Sequence, residues 1–149
     1  MNEKAEIYWN TYWKGKVQPS TVSAWAFGDD PDKLARLAID GVKTATCSAK
    51  KAYEIENELL PKEGEYSIIL NKKEDPVAII KTSAVDITPF NQVTEEFARE
   101  EGEGDRSYQY WRETHIEFFN NEAEELGYTF SESMPLVCER FQLIDVNQD

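Results

Sequence analysis

Glu65-Tyr66-Ser67-Ile68-Ile69-Leu70, then Asn71-Lys72-Lys73-Glu74-Asp75, then Val77-Ala78-Ile79-Ile80-Lys81-Thr82-Ser83-Ala84-Val85: this stretch decides the fold class. Two β-branched, apolar runs flank five polar residues, and that composition makes two strands joined by a hairpin loop. The turn Pro61-Lys62-Glu63-Gly64 leads into the first run, and a further strand is expected over residues 136–146. Helical spacing occupies much of the rest. Residues 3–14 carry Ile7, Tyr8, Tyr12 and Trp13 on one side, with Gly15 as the stop. Residues 14–23 read as a connector, and Ser23-Ala24-Trp25-Ala26-Phe27-Gly28 as an aromatic segment ending in a turn. Asp30-Pro31 starts a helix with Leu34, Leu37 and Ala38 as its apolar face and Gly41 in the left-handed position after it. A loop or short helix follows through Lys50, Tyr53 and Ile55. Thr94 caps a short helix ending at Gly102. Residues 107–126 form the longest helix, with Tyr108, Trp111, His115, Phe118, Phe119 and Leu126 along one side and Gly127 as stop. No repeat, low-complexity segment or linker interrupts the chain. The reading is α+β, a mostly antiparallel sheet or barrel with helices around it, in one domain over 1–149.

Composition narrows the function. The formal charge is −13, and it is concentrated: residues 83–149 hold sixteen acidic and four basic side chains. A long phosphate backbone is gripped mainly by lysine and arginine, so this field opposes general nucleic-acid binding while leaving a small substrate free to enter. No apolar run approaches the roughly 20 residues needed to cross a bilayer, and no signal peptide is visible. Cys47 and Cys138 are too few for a disulfide framework, so reduced thiols and a cytoplasmic location are expected.

Two segments carry potential chemistry. Gly41-Val42-Lys43-Thr44-Ala45-Thr46 sets a lysine beside hydroxyls. A threonine attacks only when a base takes its proton, and a lysine serves as base only if its pKa is lowered. In a regular strand Lys43 and Thr46 face opposite sides, so they converge only if the chain bends near Gly41. Composition alone favours a solvated lysine on an edge strand. The second segment is Glu101-Gly102-Glu103-Gly104-Asp105, whose crowded carboxylates can tune one another for acid–base work, with Asp105 capping the next helix. His115, the single histidine, reads as a hydrogen-bonded core residue, and Cys47 as a small buried strand residue. With one histidine and two distant cysteines, neither a metal nor another cofactor is expected. Trp25 and Phe27 either stack on a planar ring or pack in the core.

Taken in order, Trp25-Ala26-Phe27-Gly28, Gly41 to Thr46, Pro61 to Gly64, Glu101 to Asp105, Trp111 to Phe119 and Val137-Cys138-Glu139-Arg140-Phe141 resemble the bacterial ASCH-domain family. The resemblance spans about residues 23–144, leaving 1–22 as a helical extension to a core of 23–146. It implies a small PUA-like β-barrel with surrounding helices. One branch of the family is an amidohydrolase that deacetylates acetylated cytidine with a lysine, a threonine and a glutamate. Those motifs fall on Lys43, Thr46 and Glu101. The branch carries an arginine two residues after the threonine, where this chain has Ser48, so Lys50 is a candidate to supply that contact. Substrate contacts are then expected from Trp25, Phe27, Ser48, Lys50, Glu103 and Asp105. The other classes implied are an RNA-binding PUA-like module and a ribonuclease. Nothing in the chain fixes an oligomeric state.

Overall fold

The hairpin forms as its composition dictates. In the computed structural model, which describes residues 1–148, β3 (Tyr66–Leu70) pairs antiparallel with β4 (Pro76–Pro89), Ile68 against Ile79 and Ser67 against Ile80. The last residue of the expected 1–149 unit lies outside the described residues. Ile68, Ile69, Ile79 and Ile80 are all buried. Both faces of the hairpin are therefore covered, which is why its runs are continuously apolar rather than alternating.

β1 (Ser23–Ala26) adds parallel to β3, β5 (Pro135–Val146) antiparallel to β4, and β2 (Ala45–Ala49) antiparallel to β5, giving the order β1-β3-β4-β5-β2. This is a mixed sheet curled into a half-barrel with helices packed on it, the α+β class expected from the sequence. β4 continues past residue 85 because its second half stays paired with β5, Asp86 against Cys138 and Thr88 against Leu136. A register shift between Thr82 and Ala84 marks a bulge, the usual device for bending a long strand.

Alternation assigns the faces. On the outer face, α1 (Glu3–Trp13) buries Ala5, Tyr8 and Trp9 against Ile68, Leu70 and Ile79. Ile7 is 58% exposed and Trp9 takes its place. The correct stripe is Ala5, Tyr8, Trp9 and Tyr12, which keeps i, i+3, i+4, i+7 spacing with a small residue first. The Tyr8 hydroxyl donates to Asp145 at 2.8 Å, so residues 1–22 are anchored to the sheet. Also on the outer face, α4 (Glu95–Glu101) and α5 (Tyr108–Leu126) bring Phe97, Trp111 and Phe119 onto Ala45, Ala49, Leu136 and Cys138. The N-cap of α5 is Ser107, whose Oγ accepts from the Tyr110 N–H at 3.1 Å. Asp105 is therefore not the cap expected from the sequence: it lies two residues earlier and accepts the Ser107 N–H at 2.8 Å, where Gly104 and Arg106 both turn the chain with positive φ. On the inner face, α2 (Pro31–Ile39) lays Leu34, Ala35 and Ala38 against Phe27, Ile69, Ala78, Ile80 and Phe141. The short α3 (Lys50–Ile55) follows β2 directly.

Candidate active site

The bend that Lys43 needs is built by two glycines. Gly41, at φ +78°, ends α2, and the Val42 and Lys43 N–H groups both donate to the Leu37 carbonyl at 2.9 and 3.0 Å. The chain then runs beside the end of α4, where the Thr44 N–H donates to the Glu100 carbonyl at 2.7 Å. Gly102, at φ +74°, makes that approach possible: a Cβ there would stand 2.6 Å from the Val42 oxygen. Lys43 is consequently not the solvated strand lysine that composition favours. It precedes β2 and is 1% exposed. Its ammonium donates to the Glu101 carbonyl at 3.3 Å, to Glu101 Oε1 at 3.0 Å and to Glu103 Oε2 at 3.1 Å. All three hydrogens are engaged.

Glu101, also 1% exposed, is the hub. Its Oε2 accepts from Trp111 Nε1 at 2.6 Å and Cys47 Sγ at 3.2 Å, and lies 3.3 Å from His115 Nε2. His115 Nδ1 faces the Trp111 carbonyl at 2.7 Å. An imidazole with an acceptor at each nitrogen is satisfied only when both are protonated, so this histidine is an imidazolium. It stacks on Trp111 with ring centroids 4.4 Å apart. Burial works against the Glu101 anion. The Lys43 and His115 charges and the bonds from His115 and Trp111 prevail, holding its carboxyl well below the usual carboxylate range. Burial opposes the Lys43 and His115 charges too, yet Glu101 and Glu103 raise both groups above their ordinary values. For Lys43 this is the reverse of the lowering expected of a lysine base: the two carboxylates hold the resting group as an ammonium. Glu103 shifts the other way from Glu101: burial and the Glu101 charge raise it against the pull of Lys43. Burial and the same charge push the Cys47 thiol well up.

Thr46 stands elsewhere. It is paired with Glu139 across β2 and β5, while Cys47 is paired with Cys138, so Thr46 faces the inner side and Cys47 the outer. Lys43 bridges the two sides, because its ammonium also lies 5.3 Å from the centroid of Phe27, an inner-face ring. Trp25 meets Phe27 edge to face at 5.2 Å. Ser48 shares the inner side of β2 with Thr46 and hydrogen-bonds the Tyr53 hydroxyl at 2.9 Å. Lys50 pairs with Glu54 at 3.7 Å on α3, and Asp105 is exposed in its turn. The structure thus joins Lys43, Glu101 and Glu103 directly, sets Thr46, Ser48, Trp25 and Phe27 on the inner face, and leaves Lys50 and Asp105 in local contacts. Sequence reasoning missed that His115, Trp111 and Cys47 surround Glu101. A signal existed: Trp111 and His115 are four apart on α5, and the short 102–107 turn returns that face to the end of α4.

Among the described residues, Cys47, Glu101 and His115 are the one group whose ligand atoms, all within 4.8 Å of one another, could hold a metal ion. A cation there would displace the thiol and imidazole protons and the Trp111 N–H bond, all beside the Lys43 ammonium. The donors are arranged around an anion, the Glu101 carboxylate, and that arrangement opposes a metal. No helix among the described residues is long and apolar enough to cross a membrane.

Residues 23–145 match the family model described as the ASCH domain. The chain is similar to the ASCH domain from Lactobacillus crispatus JV V101, at 34% identity over 96% of this chain and 95% of that one, with a TM-score of 0.89. It is likewise similar to protein EF3133 from Enterococcus faecalis V583, at 37% identity over 98% and 91%, TM-score 0.86. Hypothetical protein PH0355 shares the fold alone, at 16% identity and TM-score 0.57 over 83% of this chain and all of that one. No curated protein matches.

Proposed function

This chain belongs to the ASCH-domain family, and from that premise and the buried lysine–carboxylate site we propose that it is an amidohydrolase that cleaves a small N-acyl amide, of the acetylated-cytidine type, without a metal. One observation carries the reading: Lys43 is sealed between two carboxylates whose pKa values are driven apart, Glu101 down and Glu103 up. Titratable neighbours pushed in opposite directions divide acid–base labour between them. Glu101 is a fixed charge that positions Lys43. Glu103 is the group able to take a proton from the lysine.

The steps follow from those roles. Loss of one proton from Lys43 to Glu103 frees the amine. Thr46 Oγ1, which has no partner among the described residues, then attacks the acyl carbon as its own proton passes to Lys43. Collapse breaks the C–N bond, and Lys43 returns the proton to the departing amine. Water next attacks the acyl-threonine ester, giving its proton to Lys43. The C–O bond breaks, and the same proton restores the threonine hydroxyl. Trp25 offers a flat half-buried wall for a base, with Phe27 behind it.

RNA recognition through a long phosphate track is opposed by the −13 charge. A ribonuclease using His115 is opposed by the engagement of both ring nitrogens. The test is incubation of purified protein in EDTA with N4-acetylcytidine, followed by mass. Turnover is expected, and Lys43→Ala should reduce it by about a thousandfold or more, since base and nucleophile act as a unit. Turnover retained in Lys43→Ala would overturn the mechanism, and no release of acetate by the wild type would overturn the substrate class.

A further inference from the structure

One buried carboxyl on the inner face has no part in these steps. Glu139 lies mid-way along β5, between Thr46 on β2 and Val85 on β4, and is 7% exposed. Its outer neighbours fix its direction: Cys138 belongs to the α4–α5 core and Arg140 reaches Glu100, so Glu139 turns inward with Phe141. Thr82 Oγ1 donates to Glu139 Oε1 at 3.3 Å. Oε2 has no hydrogen-bond partner among the described residues. Among the described residues the one sealed polar side-chain atom without a partner is Trp13 Nε1, so Oε2 and the Thr46 hydroxyl both open onto the inner face.

Among the described residues no cation pairs with this carboxyl. The titratable groups acting on it are Glu65, just ahead of β3, and Tyr53 on α3, whose hydroxyl is engaged by Ser48. Burial raises Glu139 to about 7 against the Thr82 bond, and the Glu65 charge adds to the rise. Near neutrality the group is therefore a protonated acid much of the time, and a protonated carboxyl presents an O–H donor beside a carbonyl acceptor. That pair complements a planar edge on which a ring-nitrogen acceptor adjoins an N–H donor, as in a 4-aminopyrimidine. Trp25 supplies the aromatic wall on the same face.

We propose that Glu139 is the specificity-determining residue of the site: seated by Thr82 and facing the same side as Thr46, its carboxyl reads the aminopyrimidine edge of a nucleoside, donating to the ring nitrogen and accepting from the exocyclic N–H. The identity of the ligand rests on the amidohydrolase reading; the recognition itself does not require turnover.

The experiment is calorimetric titration of wild type, Glu139→Gln and Glu139→Ala with cytidine and with N4,N4-dimethylcytidine, which lacks the donor, from pH 6 to 8.5. Wild-type affinity for cytidine should fall about tenfold per unit above about pH 7, as expected when binding requires one proton. Glu139→Gln keeps a donor and an acceptor without a charge, so its affinity should stay flat with pH. Glu139→Ala should bind cytidine at least about tenfold more weakly at pH 6, and should no longer distinguish it from the dimethyl compound. Wild-type affinity that ignores pH, equal affinity in Glu139→Ala, or no cytidine binding at millimolar concentration would each overturn the assignment. Acetate release from N4-acetylcytidine, measured in parallel, separates the two readings. Turnover with pH-flat cytidine binding would sink Glu139 and keep the amidohydrolase. Proton-linked binding without turnover would do the reverse.

Discussion

Glu101 and Glu139 are two buried glutamates in one small protein, and their carboxyls are driven in opposite directions. Glu101, on the outer side beneath α5, receives bonds from Lys43, Trp111 and Cys47 and faces His115, and it is an anion. Glu139, on the inner side, receives one bond from Thr82, feels Glu65, and holds its proton up to about pH 7. Burial disfavours the anion at both sites, yet only Glu139 is raised, so burial alone does not decide ionisation. The count of donors and the sign of the nearest charge decide it. The outer carboxylate is spent on structure and on fixing a lysine; the inner one keeps an oxygen free for something not in the chain.

The sharpest way to break this contrast is to remove the outer charge. Glu101→Gln leaves Lys43 and His115 buried with one fewer compensating anion, and uncovering a buried ion pair costs about 3–5 kcal/mol. A urea titration at pH 7 should show that loss, along with loss of any turnover. Because the native Glu101 carboxyl is depressed, its contribution is present above the unfolded pKa, about 4.5, and is lost as pH falls below it. The gap between wild type and variant should accordingly close in acid. An unchanged urea midpoint at pH 7 would mean the cluster is not the electrostatic anchor described above.

The inner carboxyl predicts a smaller change of opposite sign. A native pKa raised to about 7 means the folded state binds more protons than the unfolded state between about pH 4.5 and 7, so wild-type stability declines as pH rises through that window. Glu139→Gln abolishes the ionisation. It should match wild type near pH 4.5 and exceed it at pH 8 by on the order of 3 kcal/mol, at about 1.4 kcal/mol per pK unit. Wild type and variant that track each other from pH 4.5 to 8 would show that Glu139 is ionised without cost.

How much of this could be read beforehand depends on whether a feature is local. The Thr94 cap, the Gly102 and Gly127 stops, Asp30-Pro31 and the isoleucine hairpin are local, and each lies where the sequence puts it. The burial of Lys43 is not local. It needs α4 to lie against residues 42–44 from a point 58 positions along the chain, which no window around Lys43 contains. His115 is the core residue that its side of α5 implies, but its charge follows from what faces it across the 102–107 turn. Glu139 was hidden by its strand. In Cys138-Glu139-Arg140 a glutamate between two partners looks solvent-facing, and only the curvature of the half-barrel turns that second face into an interior. The family resemblance marks Lys43, Thr46 and Glu101, but the neutral lysine that a base requires is not what the two carboxylates around Lys43 hold.

The smallest effect concerns what docks α4 onto the sheet. Arg140 forks onto Glu100, Nε to Oε2 at 2.9 Å and Nη2 to Oε1 at 2.9 Å, with both side chains partly in solvent. It is the visible clamp between β5 and α4, yet exposed pairs contribute about 0.2–1 kcal/mol because water and salt already screen them. Arg140→Lys keeps the charge, gives up the planar fork, and should cost less than about 1 kcal/mol. Most of that loss should vanish in about 0.5 M salt, where the screening length is only a few ångströms. The backbone bond from the Thr44 N–H to the Glu100 carbonyl and the buried contact from Lys43 to Glu101 would be untouched. If Arg140→Lys instead costs as much as Glu101→Gln, the helix is held from outside. The buried cluster would then be a consequence of docking rather than its cause.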